Sequence, residues 1–284
     1  MSIDRVGVIG GGLMGSGVAE VCAAAGSDVI IHEINAEAAE AALGRIQKSL
    51  ARALEREKLD SKGREDILGR IAISVELSDQ ADRQLVIEAA TENEDLKKSI
   101  FSDLDEIVTD ADAIFASNTS SIPITRIASV TERPDHVVGL HFFNPVPVMA
   151  LVELVTTVLT DPTVADRAQA YAEKIGKIVI RAKDRAGFVV NMLLIPYMLG
   201  AIRMFEAGVA TKEDIDTGMR LGANHPMGPL ELTDFVGLDT TKFVSDVLFD
   251  EFKEPMYASP PLLTRMVEAG LHGRKTGSGF YSYE

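Results

Sequence analysis

The sequence contains a single cysteine, Cys22, among its 284 residues. One thiol cannot form a disulfide within the chain, and it cannot provide a cysteine-based zinc site. A reducing intracellular environment is the simplest one for such a chain, so we expect a cytoplasmic protein. No metal site is expected.

Long uninterrupted apolar runs are also missing. The longest apolar stretch, residues 188–202, is interrupted by Asn191 and Pro196 and is shorter than a membrane span requires. The apolar residues that precede Gly26 are broken by five glycines between Gly7 and Gly15 and by Glu20, which does not fit a signal peptide. The sequence therefore predicts no membrane partner.

Basic residues are scarce, because 28 Lys and Arg stand against 43 Asp and Glu, a net charge of −15. Such a surface repels nucleic acid, so no nucleic-acid partner is expected, and an anionic ligand would need a local basic exception. A hydrophobic content of 46% is typical of a packed globular protein. The length predicts two domains.

Strand and helix patterns alternate in the first two thirds of the chain, which predicts a mainly parallel sheet covered on both faces by helices. The buried-strand patterns end at Gly10, His32, Glu88, Ala116, His141, Val155 and Ile180. From Ala36 to about Arg70 the pattern is helical and highly charged, and after Asp184 only helical patterns remain. We predict an α/β fold: a Rossmann-type doubly wound sheet with a helical insertion in residues 1–186, and an all-helical domain in residues 187–284.

A glycine-rich loop, Gly10-Gly11-Gly12-Leu13-Met14-Gly15, follows the first predicted strand and fits the pattern G-x-G-x-x-G. These glycines allow a tight turn, a close approach of a pyrophosphate and close packing of the next helix. Glu33 ends the second strand, where a carboxylate accepts ribose hydroxyls and repels a 2′-phosphate. No Lys or Arg follows until Arg45, so the pattern favours NAD without excluding NADP. The alternative is a plain strand–turn–helix without a ligand.

Polar residues mark the carboxyl ends of two later strands. The loop Ser117-Asn118-Thr119-Ser120-Ser121 follows one strand, and His141 ends the next. Glu153 lies within an apolar run, where a charge is rarely buried without a partner, and His141 is the obvious partner. Such a pair makes a general base for an alcohol proton. The alternative is a structural histidine with a solvent-facing glutamate, and the residues alone leave both open.

Five motifs in this order resemble the (S)-3-hydroxyacyl-CoA dehydrogenase family. They are Asn118-Thr119-Ser120-Ser121, His141-Phe142-Phe143-Asn144-Pro145-Val146-Pro147-Val148-Met149, Gly187-Phe188-Val189-Val190-Asn191, His225-Pro226-Met227-Gly228-Pro229 and Gly277-Ser278-Gly279-Phe280-Tyr281. The resemblance covers nearly the whole chain and is greatest to the stand-alone bacterial members that act on 3-hydroxybutyryl-CoA. It implies reversible oxidation of a 3-hydroxyacyl-CoA to a 3-oxoacyl-CoA, with a hydride passed to a nicotinamide cofactor.

The resemblance also implies the site residues. His141 matches the catalytic base and Glu153 its partner, while Ser120 positions the substrate and Asn191, from the second domain, completes the site. The implied cofactor contacts are the glycine loop, Glu33, Glu92, Lys97, Ser120, Asn144 and Lys275. The implied CoA contacts are Ser49, Arg56, Lys97 and Ser120. For Glu92 and Lys97 the alternative is an ordinary exposed pair at the mouth of a helix. A homodimer formed through the helical domain is expected.

The charged insertion gives separate support for a CoA site. Arg45, Lys48, Arg52 and Arg56 are spaced by three, four and four residues, which puts them on one helix face. Residues 45–70 hold eight basic and five acidic residues, a local charge of +3. A solvated face of mixed charge is the alternative, but we favour a nucleotide site and add Arg52 to the CoA contacts.

Two other functions remain open. One is a related dehydrogenase of a small sugar acid, which would not need the basic helix face. The other is a non-catalytic NAD-binding protein like the lens crystallins related to this family, which would not need Ser120, His141, Glu153 and Asn191 together.

Many relatives have aspartate at the position of Glu33, so the longer side chain leaves the preference between NAD and NADP open.

Overall fold

A computed structural model describes residues 2–283 and divides the chain into two compact units, Met1–Arg185 and Ala186–Glu284. The division falls one residue before the predicted boundary. The substrate cleft and dimer contact assigned to residues 187–284 stay predictions. Among the described residues, no helix is both long enough and apolar enough to cross a membrane.

The first unit is built on one eight-stranded sheet. Its strands are β1 (Arg5–Ile9), β2 (Asp28–His32), β3 (Ile71–Ser74), β4 (Leu85–Glu88), β5 (Ile114–Ser117), β6 (Val137–Phe142), β7 (Leu151–Thr156) and β8 (Ile178–Lys183). Their spatial order is β3-β2-β1-β4-β5-β6-β7-β8. Neighbouring strands run parallel except for β6 and β7, which are antiparallel. The order reverses between β1 and β4, which confirms the Rossmann-type fold and creates the edge where ligands bind.

Six helices accompany this sheet: α1 (Leu13–Ala24), α2 (Ala36–Glu55), α3 (Ser61–Leu68), α4 (Glu94–Ile107), α5 (Ile124–Ala128) and α6 (Pro162–Lys174). Helix α2 shows why they form, since Asn35 caps its first turn through a 2.8 Å bond from the Ala38 N–H to Oδ1. Ala42, Ile46 and Leu50 then recur every four residues and are buried, while the opposite face is charged and exposed.

The insertion differs from its prediction in one respect. The helical pattern from Ala36 to about Arg70 is two helices, and Arg56 is the C-terminal cap of the first. The strand β3, which was not predicted, follows directly and pairs with β2 at the edge of the sheet. Four residues, Ile71 to Ser74, are too few for alternation to stand out from the helical pattern before them.

The second unit is all-helical, as predicted. Its helices are α7 (Val190–Glu206), α8 (Lys212–Gly222), α9 (Pro229–Val236), α10 (Leu238–Phe252) and α11 (Pro261–Glu268). Two buried aspartates join its parts. Asp216 accepts the N–H groups of Leu230 and Glu231 at 2.8 and 2.9 Å and so starts α9. Asp234 accepts the N–H groups of Phe280 and Tyr281, both at 2.8 Å, and fixes the C-terminal segment.

Candidate active site

His141 and Glu153 lie side by side on the antiparallel strands β6 and β7. The register places the two residues directly opposite each other, so their side chains project on the same face of the sheet. His141 Nδ1 is 2.7 Å from Glu153 Oε2. Glu153 is 0% exposed and His141 is 7% exposed. The alternative with a solvent-facing glutamate is therefore wrong, and the expected pair is present.

The loop after β5 carries Ser120 and is tied to the end of β6. The Phe142 N–H donates to Asn118 Oδ1 at 2.8 Å. Glu92 holds the rest of the loop, because its Oε1 accepts the Thr119 hydroxyl, the Ser120 N–H and the Ser121 hydroxyl at 2.5, 3.1 and 2.9 Å. These hydrogen bonds hold the loop beside the strand that carries His141.

Glu92 is itself kept ionised by its surroundings. Burial opposes its charge, but Lys97 and the hydrogen bonds from Thr119, Ser121 and the Ser120 N–H outweigh that cost. The pKa of the Glu92 carboxyl is therefore held below its usual value. Glu92, a predicted cofactor contact, thus also organises the loop that carries Ser120.

A second buried pair, Glu88 and Lys97, lies beneath the same edge of the sheet. Glu88 ends β4 and is 0% exposed, while Lys97 on α4 is 1% exposed. Lys97 Nζ donates to Glu88 Oε1 at 2.6 Å, and Ser117 Oγ donates to Glu88 Oε2 at 2.6 Å. Lys97 Nζ also lies 3.5 Å from Glu92 Oε2. The alternative of an exposed lysine at the helix mouth is therefore wrong.

The glycine loop has the conformation that a pyrophosphate site requires. Gly10 has a φ of +91°, which favours glycine. A Cβ on Gly15 would lie 1.8 Å from the Gly10 carbonyl oxygen, so α1 packs against the loop only because this residue is glycine. A Cβ on Gly12 would meet nothing within 4 Å. Room for a phosphate group thus lies directly before Leu13, where α1 begins, and the residues present fit a dinucleotide.

Glu33 and Arg45 meet this loop at the same residue. The Gly11 N–H donates to Glu33 Oε1 at 2.6 Å. Arg45 Nη1 donates to the Gly11 carbonyl oxygen at 3.1 Å. The sequence spacing predicted Arg45 on the basic face of α2, whereas the fold brings its guanidinium to the glycine loop.

Comparison with known proteins decides the family. The NAD binding domain of 3-hydroxyacyl-CoA dehydrogenase matches residues 5–185, and the C-terminal domain of the same enzyme matches residues 187–283. The chain belongs to the 3-hydroxyacyl-CoA dehydrogenase family. It is an NAD-binding oxidoreductase, which confirms the resemblance drawn from the motifs.

Three relatives of this dehydrogenase span almost its whole length. A 3-hydroxybutyryl-CoA dehydrogenase of Mycobacterium tuberculosis is 55% identical over 283 residues, 99% of either chain. The human mitochondrial hydroxyacyl-coenzyme A dehydrogenase is 42% identical, with 99% of this chain and 92% of that protein covered. The crystal structure of an (S)-3-hydroxybutyryl-CoA dehydrogenase from Ralstonia eutropha matches with a TM-score of 0.96 at 45% identity, and both chains are fully covered.

Of the residues predicted to contact CoA, Ser49 and Arg52 lie on α2 of the dehydrogenase and Arg56 is its C-terminal cap, whereas Lys97 and Ser120 lie elsewhere. Lys48, Arg52 and Arg56 are exposed, in keeping with a charged face. Ser49 is half-buried and faces α1, where burial raises the pKa of the Glu20 carboxyl and a hydrogen bond from Ser49 opposes that rise. The cationic face therefore consists of three residues, because Arg45 is engaged at the glycine loop.

The remaining predicted residues lie in three other places. Asn144 is exposed just beyond β6, in the loop that leads to β7. Lys177 anchors this loop, since its buried ammonium donates to the carbonyls of Val146 and Met149 at 2.5 and 2.9 Å. Burial lowers the pKa of Lys177.

Asn191 and Lys275 belong to the second unit. Asn191 lies in the first turn of α7. Lys275 lies in a short turn, Arg274–Thr276, where it forms an ion pair with Asp239. The turn that carries Lys275 is thus anchored within its own unit. The functional roles of Asn191 and Lys275 stay predictions.

Proposed function

We propose that this dehydrogenase interconverts (S)-3-hydroxybutyryl-CoA and acetoacetyl-CoA, and that His141 is its acid–base residue. The short acyl chain is inferred from the names of the bacterial relatives. The observation that carries the chemistry is the bond between His141 Nδ1 and Glu153 Oε2, 2.7 Å long, between two residues buried on facing strands.

Glu153 prepares His141 for proton transfer. A carboxylate beside Nδ1 accepts a hydrogen bond from the Nδ1–H group, which leaves the basic lone pair on Nε2 at the other side of the ring. His141 then takes the hydroxyl proton of the substrate through Nε2, and the buried charge of Glu153 stabilises the resulting imidazolium. In the reverse direction the imidazolium returns this proton to the carbonyl oxygen. A bound nicotinamide ring supplies the hydride acceptor for C3.

Ser120 and Asn191 are proposed to hold the reacting oxygen and the thioester carbonyl. Such groups accelerate the reaction by fixing the substrate in a reactive orientation rather than by moving protons. The bond from the Ser120 N–H to Glu92 at 3.1 Å supports this role for Ser120, because it fixes the loop. Asn191 is assigned by its place in the family motif.

We assign the cofactor to the glycine loop, with Glu33, Glu92, Lys97, Ser120, Asn144 and Lys275 as further contacts. The loop binds the pyrophosphate at the start of α1, and Glu33 accepts the ribose hydroxyls. Lys97 differs from the rest, because its ammonium is already bonded to Glu88. We therefore propose that Lys97 acts chiefly by fixing Glu88 and Glu92.

CoA is proposed to bind along α2, at Ser49, Arg52 and Arg56. Arg52→Glu combined with Arg56→Glu should raise KM for acyl-CoA about 10-fold at nearly unchanged kcat, because the lost contacts act equally in the ground and transition states. Steady-state kinetics with acetoacetyl-CoA measures this split. Lys62→Glu, an exposed change of the same sign on α3, is the matched control. An unchanged KM in the double variant would leave α2 a solvated face.

A kinetic panel tests the proposed reaction itself. NADH oxidation is followed spectrophotometrically with 3-oxoacyl-CoA substrates of increasing chain length. We expect the highest kcat/KM with acetoacetyl-CoA and a decline with longer chains. A maximum at a long chain would overturn the substrate, and no oxidation at any length would overturn the activity.

We propose that the dehydrogenase is a cytoplasmic homodimer. The second unit supports the dimer, because its exposed large apolar side chains include one on each of four helices, Leu193, Leu221, Phe235 and Phe243. The single, buried cysteine agrees with the cytoplasm. Light scattering after size-exclusion chromatography should give twice the chain mass of 30.6 kDa.

A further inference from the structure

We propose that Arg45 is a cofactor-specificity residue that gives the site a cation for the 2′-phosphate of NADP, so that the enzyme binds NADP(H) as well as NAD(H). The inference rests on the cofactor site proposed above. It assigns Arg45 to the adenosine end of that site and removes it from the CoA face of α2.

The position of Arg45 follows from its partner. Glu33 Oε1 accepts the Gly11 N–H at 2.6 Å, and Arg45 Nη1 donates to the carbonyl oxygen of the same residue at 3.1 Å. The carboxylate that follows the second strand of a dinucleotide-binding fold marks the adenosine ribose. A guanidinium bonded to the same glycine therefore lies at the ribose end of the site.

Helix packing explains how a residue so distant in sequence reaches the loop. Ala42 packs so closely on the loop that a Cβ on Gly11 would lie 2.4 Å from its Cβ. Arg45 follows Ala42 by three residues and so lies on nearly the same face, one turn further along α2. The absence of basic residues directly after Glu33 thus does not remove positive charge from the ribose end.

The opposite charges of Glu33 and Arg45, which both bond to Gly11, determine whether the site repels a 2′-phosphate. The negative charge of Glu33 alone would disfavour a 2′-phosphate, but the positive charge of Arg45 beside it at Gly11 offsets that effect. The bond to Gly11 uses one of the five donors of a guanidinium, and a planar fork of donors suits phosphate oxygens. Arg45 is also exposed, so its side chain can turn toward such a ligand.

Two small ligands isolate the 2′-phosphate. AMP and adenosine 2′,5′-bisphosphate share the adenosine 5′-phosphate and differ only in the 2′-phosphate. Calorimetric titration of Arg45→Ala should weaken the bisphosphate about 10- to 100-fold and AMP less than about 3-fold. Titration of NADP⁺ and NAD⁺ should show the same contrast. Lys62→Ala, which removes an equal charge from α3, should alter neither.

Other outcomes decide against the proposal. Equal weakening of AMP and the bisphosphate would make Arg45 a brace for the loop, and unchanged binding of both would remove it from the site. Glu33→Gln is an independent variant that leaves Arg45 in place and should bind the bisphosphate more tightly than the parent enzyme; weaker binding there would also contradict the charge argument. Failure of the unaltered enzyme to bind NAD⁺ would instead overturn the cofactor site.

Discussion

The first unit contains two buried acid–base pairs that look alike and differ in what they can do. His141 lies 2.7 Å from Glu153, and Lys97 lies 2.6 Å from Glu88. Both carboxylates are 0% exposed. Burial and pairing therefore do not distinguish a catalytic pair from a structural one.

Chemical capacity does distinguish them. An ammonium has only donors, and Lys97 donates hydrogen bonds to Glu88 and to the carbonyl of Ala90 and forms a longer ion pair with Glu92. The Glu88 oxygens also accept Ser117 and the Ala90 N–H. An imidazole, by contrast, has two ring nitrogens, so Glu153 can hold one while the other exchanges a proton with a substrate. The lysine pair joins β4, β5 and α4, whereas the histidine pair presents a base.

Replacing the base should have the largest effect. His141→Ala should lower kcat by about 100- to 10,000-fold, the usual loss when a general base is removed. Steady-state NADH oxidation measures kcat, and calorimetry should show NAD⁺ binding within a factor of a few of the parent enzyme. A kcat within 10-fold of the parent would mean that His141 is as structural as Lys97.

Breaking the lysine pair should instead act on stability. Lys97→Met leaves the Glu88 charge buried without its partner, which should lower the free energy of unfolding by about 3–5 kcal/mol. Urea unfolding followed by circular dichroism measures the loss. The double variant Glu88→Gln with Lys97→Met should recover part of it, because neither charge then remains buried.

A neighbouring lysine supplies the control for that variant. Lys98 on the same helix forms an i,i+4 pair with Glu94, and its side chain is 31% exposed. Lys98→Met should cost no more than about 1 kcal/mol, as exposed pairs do. Equal losses at Lys97 and Lys98 would contradict the structural role assigned to the buried pair.

Matched changes in the two carboxylates sharpen the comparison. Glu153→Gln should lower kcat about 10- to 1,000-fold, because an amide holds the imidazole but does not stabilise its charge. Glu88→Gln should leave kcat near that of the parent enzyme and lower the free energy of unfolding. Kinetics and urea unfolding of both proteins test this crossover. A drop in kcat at Glu88 as large as that at Glu153 would remove the distinction.

The sequence predicted one pair and missed the other for a physical reason. Glu153 and Glu88 both carry a charge on a buried strand, which signals a partner. His141 was recognisable because it ends a neighbouring strand. Lys97 lies on a helix after β4, and helical periodicity alone did not indicate that it turns inward. The sequence signal for a partner of Glu88 is the charge itself at the end of an apolar run.

The glycine loop shows the same limit in a different way. Its motif and fold were predictable, since three glycines at fixed spacing follow a strand. The contact of Arg45 with Gly11 was not, because it depends on how α2 crosses the loop rather than on spacing along the chain. Sequence patterns indicate local structure and the ends of strands, whereas contacts between elements require the packing.

Glu92 joins the structural pair to the Ser120 loop and should give the smallest effect. Since its pKa is held below the usual value, Glu92 contributes stability that is fully present above about pH 4.3, the ordinary glutamate pKa, and is lost as the pH falls through the lower folded pKa. Urea unfolding from pH 6 downward, to about pH 3, should therefore show a shallower acid loss for Glu92→Gln than for the parent enzyme. Glu40→Gln, exposed on α2, should keep the parent's slope. If the free energy of unfolding falls equally with pH in the parent and in Glu92→Gln, Lys97 and the loop do not hold Glu92 ionised. The structural role of Lys97 would then be limited to its bond with Glu88.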